Sequence, residues 1–153
     1  MDDYVKLAMR TCAPGDNLLH SALGMVTEIA ELAGAPDEAN AHEEMGDVMW
    51  YVAVGCDHFG VTLKEAIEAA PESDRDGLSI MGDYVNHVKR QVFYGKPVPS
   101  SQMVALLGEM AVGIQEAAED FGFDFEEILE ENIAKLRKRF PEKFTQDRAI
   151  NRE

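Results

Sequence analysis

The chain has 153 residues, which suits one domain, and we expect a single domain over residues 1–153. Hydrophobic residues make up 46% of the chain and charged residues 28%, which is typical of a globular protein and excludes a disordered one. The 29 acidic and 14 basic residues give a net charge of −15. Nucleic acids and membrane surfaces are therefore not expected as partners, because both are bound by basic surfaces.

The cysteine content and the first residues indicate the compartment. Two cysteines, Cys12 and Cys56, cannot form a disulfide framework and favour a reducing environment. The first residues lack the basic and apolar regions of a signal peptide, and no apolar run reaches the length of a membrane span. The sequence predicts a cytoplasmic protein without a membrane segment.

Apolar residues recur at helical spacing in six segments, and no stretch alternates with the period of a strand, so the sequence predicts an all-α fold. The expected helices, with their caps, span residues 18–33, 39–57, 62–71, 78–94, 101–121 and 124–139. Thr62 and Glu65 are spaced as a capping box, and Ser101 and Asp124 are expected to cap the last two helices. The stretch Val48–Cys56 is apolar on all sides, as expected of a core helix.

Short motifs recur at an offset of 62 residues, which favours an internal repeat. The recurring pairs are Gly46–Asp47 with Gly108–Glu109, Phe59–Gly60 with Phe121–Gly122, and the caps Thr62 with Asp124. They predict a helical bundle with a pseudo-twofold axis, built from halves of about 16–71 and 78–141. The alternative is coincidence, because Phe-Gly is common at helix ends.

Acidic residues are concentrated where the sequence offers no basic neighbour. No Lys or Arg lies between Arg10 and Lys64, whereas half of all basic residues lie from Lys135 onwards. Acids on a solvated helix usually have basic residues three or four positions away. These acids therefore either face open water or are neutralised by a cation from elsewhere.

Two acid pairs on consecutive helices predict a metal site. Glu28 and Glu31 share a face of one helix, and Glu44 and Asp47 share a face of the next, because each pair is three residues apart. The short connection between the helices makes them antiparallel neighbours, so four carboxylates converge. Their mutual repulsion raises pKa values unless a cation binds. Oxygen ligands without His or Cys favour Mg²⁺, with Mn²⁺ as a substitute, over Zn²⁺.

Plain solvent exposure is the alternative for these acids. The E-x-x-E pattern is common in so acidic a chain and also occurs at Glu116/Glu119 and Glu127/Glu130. A di-iron carboxylate bundle does not fit, because no Glu is followed by His three residues later.

Several segments resemble the MazG-like all-α nucleoside triphosphate pyrophosphohydrolases, and the resemblance covers nearly the whole chain. These segments are Leu18–Gly24, Glu28-x-x-Glu31 and Glu43–Tyr51, followed by Val88–Pro97 and Asn132–Pro141. The resemblance implies a helical bundle of that type, which hydrolyses a nucleoside triphosphate to the monophosphate and pyrophosphate with Mg²⁺. It also implies self-association, and we expect a homodimer.

The resemblance also implies roles for single residues. The metal ligands would be Glu28, Glu31, Glu44 and Asp47, and Asn132 and Lys135 would contact phosphates. Glu28 or Glu31 is the candidate to accept a proton from the attacking water.

The remaining basic candidates for substrate binding are Arg139 and Lys89. Arg139 lies one turn beyond Lys135 and would reach outer phosphate oxygens. The alternative for Lys135 and Arg139 is a solvated basic helix end. For Lys89 and Lys96 the alternative is the plain surface.

The chain departs from the family pattern in one respect. In short members of the family the lysine segment lies between the two acid pairs, whereas Val88–Pro97 follows both of them here, which leaves the roles of Lys89 and Lys96 open. Leu106 stands at the repeat position of Glu44, so we expect one metal site per chain.

Two other functions remain open from the sequence. A related pyrophosphohydrolase that acts on phosphoribosyl-ATP uses a similar acidic hairpin, so only its substrate would differ. The third possibility is a non-catalytic acidic helical protein that binds a basic partner, which would bind Mg²⁺ only weakly.

Overall fold

The computed structural model describes residues 3–151, and in that range it contains eight α-helices and no strand. The helices are α1 (Tyr4–Met9), α2 (Asn17–Ala33), α3 (Glu38–Phe59), α4 (Leu63–Ala69), α5 (Gly77–Tyr94), α6 (Ser100–Phe121), α7 (Phe125–Arg139) and α8 (Gln146–Ile150). The predicted all-α fold is confirmed. None of the helices within the described range is both long and apolar enough to span a bilayer.

Helix α3 lies at the centre of the fold and packs against α1, α2, α4, α6 and α7. Its apolar stretch, predicted to be a core helix, is buried, and Val48, Met49 and Val52 are fully inaccessible to solvent. Trp50 is also buried, and its Nε1 donates a hydrogen bond to the carbonyl oxygen of Ala8 at 3.3 Å. The acids at the start of α3 therefore lead directly into the core.

The predicted helix caps have different outcomes. Thr62 and Glu65 form the reciprocal capping box at the start of α4, and Asp124 accepts a hydrogen bond from the backbone N–H of Glu127. The prediction that Ser101 caps α6 was wrong. Helix α6 begins one residue earlier, after Pro99, whose extended backbone precedes the first turn, so Ser101 is already helical.

Helices α1 and α8 were not predicted. Each is shorter than two turns, too short for apolar residues to establish a helical period. Tyr4 and Ala8 of α1 are buried, since α1 packs on α3. Tertiary packing stabilises α1, in keeping with the marginal stability of short isolated helices.

Three helix glycines allow neighbouring elements to approach closely. A Cβ atom on Gly24 of α2 would lie 2.1 Å from the ring of Tyr51 on α3. One on Gly46 of α3 would lie 3.1 Å from the Cβ of Asn132 on α7. One on Gly108 of α6 would lie 1.9 Å from the backbone oxygen of Ala66. These contacts fix the spacing of the helices that carry the acids.

We expect Gly108→Ala to lower the free energy of unfolding by about 2 kcal/mol or more, because the backbone of Ala66 cannot move aside as a flexible side chain can. Gly113→Ala on the same helix is the matched control, since a Cβ there meets nothing within 4 Å. That control should be neutral or stabilising by up to about 1 kcal/mol. Urea denaturation measures both, and equal stability of the two variants would contradict the packing described here.

Candidate functional site

Three acidic side chains converge where α3 folds back along α2. Glu28 and Glu31 come from α2 and Glu44 comes from α3, and each offers a carboxylate oxygen within 4.8 Å of the other two. Glu44 is buried with 9% of its surface exposed, Glu28 is half-buried and Glu31 is exposed. We refer to Glu28, Glu31 and Glu44 as the glutamate cluster.

The glutamate cluster has few polar partners. Thr27 Oγ1 lies 3.3 Å from Glu28 Oε1, and Asn40 Nδ2 donates to Glu44 Oε1 at 3.4 Å. Among residues 3–151, no Lys, Arg or His forms an ion pair with any of the three carboxylates. The cluster is therefore negatively charged without a protein cation in contact.

Burial and mutual repulsion both raise pKa values in the cluster, at Glu28 and at Glu44. Burial, together with the charges of Asp47, Glu31 and Glu44, raises the pKa of Glu28 to about 7. Burial and the same kind of repulsion also raise the pKa of Glu44. Both carboxyl groups are held in an environment that disfavours their charged form until a cation arrives.

Asp47, the fourth predicted metal ligand, lies beside the cluster but has a different partner. Lys135 of α7 places its Nζ 2.6 Å from both carboxylate oxygens of Asp47 and 3.1 Å from Glu43 Oε1. The Nδ2 of Asn132 donates to Asp47 Oδ1 at 2.8 Å. A cation from a distant part of the sequence thus neutralises Asp47, as the sequence left open.

Asn132 and Lys135, predicted to contact phosphates, face Asp47 in this structure. Asn132 is buried, and its Oδ1 accepts a hydrogen bond from the hydroxyl of Tyr4 at 3.1 Å. Gly46 makes this arrangement possible, because its missing side chain lets Asn132 lie against α3. Burial lowers the pKa of Lys135, but the charges and hydrogen bonds of Asp47 and Glu43 outweigh it and raise the pKa overall.

The other predicted substrate residues lie farther along their helices. Arg139 is half-buried at the end of α7, with its guanidinium 5.9 Å from the ring centroid of Phe140. Lys89 on α5 and Lys96 after it are exposed, and neither side chain forms a hydrogen bond or ion pair with any residue in the described range, although the backbone N–H of Lys96 donates to the carbonyl oxygen of Arg90. No hydrogen bond or ion pair joins Arg139, Lys89 or Lys96 to the glutamate cluster among residues 3–151.

An aromatic group lies on the α2–α3 side of the site. His20 contacts Trp50 and Tyr51 edge to face, with ring centroids 5.8 and 5.4 Å away. Its Nδ1 lies 3.9 Å from Cys12 Sγ, and burial lowers its pKa, which favours the neutral imidazole. Burial also raises the pKa of Cys12, so this thiol has little thiolate character. The three rings therefore pack together as one unit.

Sequence reasoning missed a second neutralised acid. Glu109 on α6 is buried and accepts two hydrogen bonds from Arg75, at 3.4 Å from Nε and 2.8 Å from Nη2. Arg75 lies in the connection before α5 and also pairs with Asp83. The available signal was an acid on an apolar helix, which requires a partner. Its partner could not be assigned without the course of the loop.

The glutamate cluster suits a hard divalent cation. Its ligands are carboxylate oxygens alone, which Mg²⁺ and Mn²⁺ prefer, and none of its members contributes nitrogen or sulfur. Burial and the neighbouring carboxylates raise the pKa of Glu28, a shift that a bound cation would oppose. The residues present therefore fit the expected Mg²⁺, with Glu28, Glu31 and Glu44 as ligands.

Comparison of the chain with protein-family models, with curated proteins and with solved structures finds no match.

Without a divalent cation, we expect the melting temperature to fall as the pH rises from about 4.5 to 7. Glu28 holds a proton in the folded state up to a pKa of about 7, whereas its unfolded value is near 4.5. The unfolded chain thus binds fewer protons in this window, so stability decreases with rising pH. Thermal melts in EDTA should show this slope reduced in Glu28→Gln.

The matched control is Glu116→Gln, which removes an exposed acid of another E-x-x-E pair. It should retain the wild-type slope. Saturating Mg²⁺ should flatten the slope of the wild type, because a bound cation stabilises the charged carboxylate. An unchanged slope in Glu28→Gln would contradict the assigned pKa.

Proposed function

We propose that this chain is a Mg²⁺-dependent hydrolase that converts a nucleoside triphosphate to the monophosphate and pyrophosphate. The observation that carries the proposal is the convergence of Glu28, Glu31 and Glu44 without a contacting protein cation. This convergence agrees with the acid motifs that resemble those of the MazG-like pyrophosphohydrolases.

Electrostatics favours a substrate that arrives with cations. A triphosphate and an acidic cluster repel each other unless a divalent ion lies between them. When bound, Mg²⁺ would neutralise phosphate charge and stabilise the charge that develops in the transition state. Glu28, Glu31 and Glu44 would hold it, and they are placed on two helices that pack firmly against each other.

Glu28 and Glu31 are the two candidates for the proton acceptor. The pKa of Glu28 is about 7 without a cation and would be lowered by bound Mg²⁺, so Glu28 would accept the proton through an oxygen that does not hold the ion. Glu31, the other candidate, is the exposed member of the cluster and the most accessible to water. Water would add to the α-phosphorus, lose its proton to one of these carboxylates, and break the bond from the α-phosphorus to the bridging oxygen, so that pyrophosphate leaves with that oxygen.

Positive charge for the phosphates lies on α7. Lys135 adds charge at the edge of the glutamate cluster, although the structure directs its hydrogen bonds to Asp47 and Glu43. Asn132 is held beside it by Tyr4. We propose Arg139 and Lys89 as further substrate contacts, which requires the substrate to extend beyond the cluster.

We also propose that the chain contains an internal repeat, so that two related halves form one helical bundle of the pyrophosphohydrolase type. Helices α3 and α6 begin and end at positions that differ by 62 residues. A Cβ atom placed on Gly46 would lie 3.1 Å from the Cβ of Asn132. Gly108 and Ala70 are the residues 62 positions from Gly46 and Asn132, and a Cβ placed on Gly108 would also lie 3.1 Å from the Cβ of Ala70. Such matched close contacts support a common origin of the two halves.

The second half lacks the acids of the first. At the offset of 62 residues, Arg90, Phe93 and Leu106 occupy the positions of Glu28, Glu31 and Glu44. Leu106 is buried, so this position serves the core. The substitutions support one metal site per chain.

Self-association of the chain is part of the proposal. Phe93 and Tyr94 at the end of α5 are 75% and 67% exposed, which is unusual for adjacent aromatic residues on a monomer. Sedimentation velocity should give twice the 17.0 kDa mass of the chain. Phe93→Ser should shift the equilibrium toward the monomer without loss of helicity, and a monomeric wild type at micromolar concentration would contradict the dimer.

Glu44→Gln should reduce pyrophosphate release at least a hundredfold, because it removes a charge from the buried ligand of the cluster. The assay should use Mg²⁺ with a panel of standard and modified nucleoside triphosphates and phosphoribosyl-ATP, and should measure pyrophosphate and orthophosphate separately. The panel distinguishes nucleotide hydrolysis from the phosphoribosyl-ATP activity.

Glu116→Gln is the control and should keep full activity, since Glu116 is exposed on α6. In the absence of nucleotide, Mg²⁺ should raise the melting temperature of the wild type and of Glu116→Gln but not of Glu44→Gln. No pyrophosphate from any substrate and no melting shift would favour a non-catalytic acidic protein.

A further inference from the structure

The ammonium group of Lys135 is enclosed by acidic oxygen atoms. Three carboxylate oxygens lie within 3.1 Å of its Nζ, two from Asp47 and one from Glu43. An ammonium group has three N–H donors, so each can be directed to a carboxylate oxygen. Two carboxylates therefore face one cation, and carboxylate oxygens are also the ligands that a hard divalent ion prefers.

We propose that Lys135 is an internal cation that takes the place of a second divalent ion at Asp47 and Glu43. The site would then bind one divalent ion, at the glutamate cluster, and Lys135 would serve as a positioning residue. The inference rests on the proposed function only for the ion at the glutamate cluster.

The surroundings of Asp47 support a fixed pair rather than an incidental surface contact. Asn132 is buried and holds Asp47 Oδ1, and Tyr4, itself buried, holds Asn132. Both oxygens of Asp47 accept short hydrogen bonds from Lys135, which is the stronger, charge-assisted kind. Asp47 is thus neutralised and oriented before any ion arrives.

The second half of the chain contains a corresponding ion pair. Glu109 stands at the offset of 62 residues from Asp47, and Arg75 neutralises it through two hydrogen bonds. The corresponding acids of α3 and α6 therefore each have a basic side chain as counter-ion. The glutamate cluster differs, since no residue in the described range forms an ion pair with it.

The test counts bound Mn²⁺ on the full chain, without nucleotide, by calorimetric titration and by electron paramagnetic resonance of free Mn²⁺. Lys135→Met, which keeps an unbranched side chain out to Cε and removes the charged Nζ, should bind about one more Mn²⁺ per chain than the wild type. Lys135→Gln is the second variant, in case the methionine disturbs folding, and should show the same gain.

Two controls distinguish an ion that binds at the former position of the Lys135 ammonium group from a general effect of lost positive charge. Lys138→Met removes an exposed charge from the same helix and should leave the count unchanged. The double variant Lys135→Met/Asp47→Asn should return to the wild-type count, because it removes the proposed ligand. The inference is overturned if neither Lys135 variant gains an ion, if the gain persists in the double variant, or if Lys138→Met gains one too.

This result is independent of the proposed enzyme. The test depends only on the difference in bound Mn²⁺ per chain between the Lys135 variants and the wild type, and not on how many ions the wild type binds. Failure of the proposed function would appear instead as a wild type whose Mn²⁺ binding is the same as that of Glu44→Gln, or as the absence of pyrophosphate release.

Discussion

Acidic side chains on the core helices α3 and α6 need a counter-charge. Basic side chains from elements that are distant in sequence supply it, and these ion pairs connect parts of the fold. Helix α3 enters the core directly after Asp47, and removing part of a carboxylate from water there is costly without a counter-charge. Lys135 supplies that charge from α7, and Arg75 supplies it to Glu109 on α6. Both contacts join elements that are distant in sequence. The same ion pairs that satisfy the acids therefore also fix how the helices pack.

The glutamate cluster is the exception that suggests a function. Asp47 and Glu109 each form an ion pair with a basic side chain. Among the described residues, Glu28, Glu31 and Glu44 form none. Stability alone does not favour such a cluster, because mutual repulsion and burial raise the pKa of Glu28. Functional sites are where such unfavourable charge is usually retained. The contrast between satisfied and unsatisfied acids within one bundle is stronger evidence than the acidic motif by itself.

Local sequence patterns predicted six of the eight helices in the described range and the grouping of three of the four acids, because period and capping act over a few residues. The Thr62 capping box is an example, and the grouping of Glu28, Glu31 and Glu44 follows from helical spacing and a short connection. The partner of Asp47 was beyond that reasoning. Nothing in the sequence around Asp47 indicates that Lys135 would reach it, since the approach of α7 depends on Gly46. The role expected for Lys135 came from motif resemblance, which carries no geometry.

The first helix gives the site an unexpected dependence on the start of the chain. Tyr4 is buried and holds Asn132, which in turn holds Asp47, so two hydrogen bonds link α1 to the acids. Deletion of α1, or a fusion partner joined directly to it, would remove or strain this support. In this fold the N-terminal helix belongs to the site as much as the acidic hairpin does.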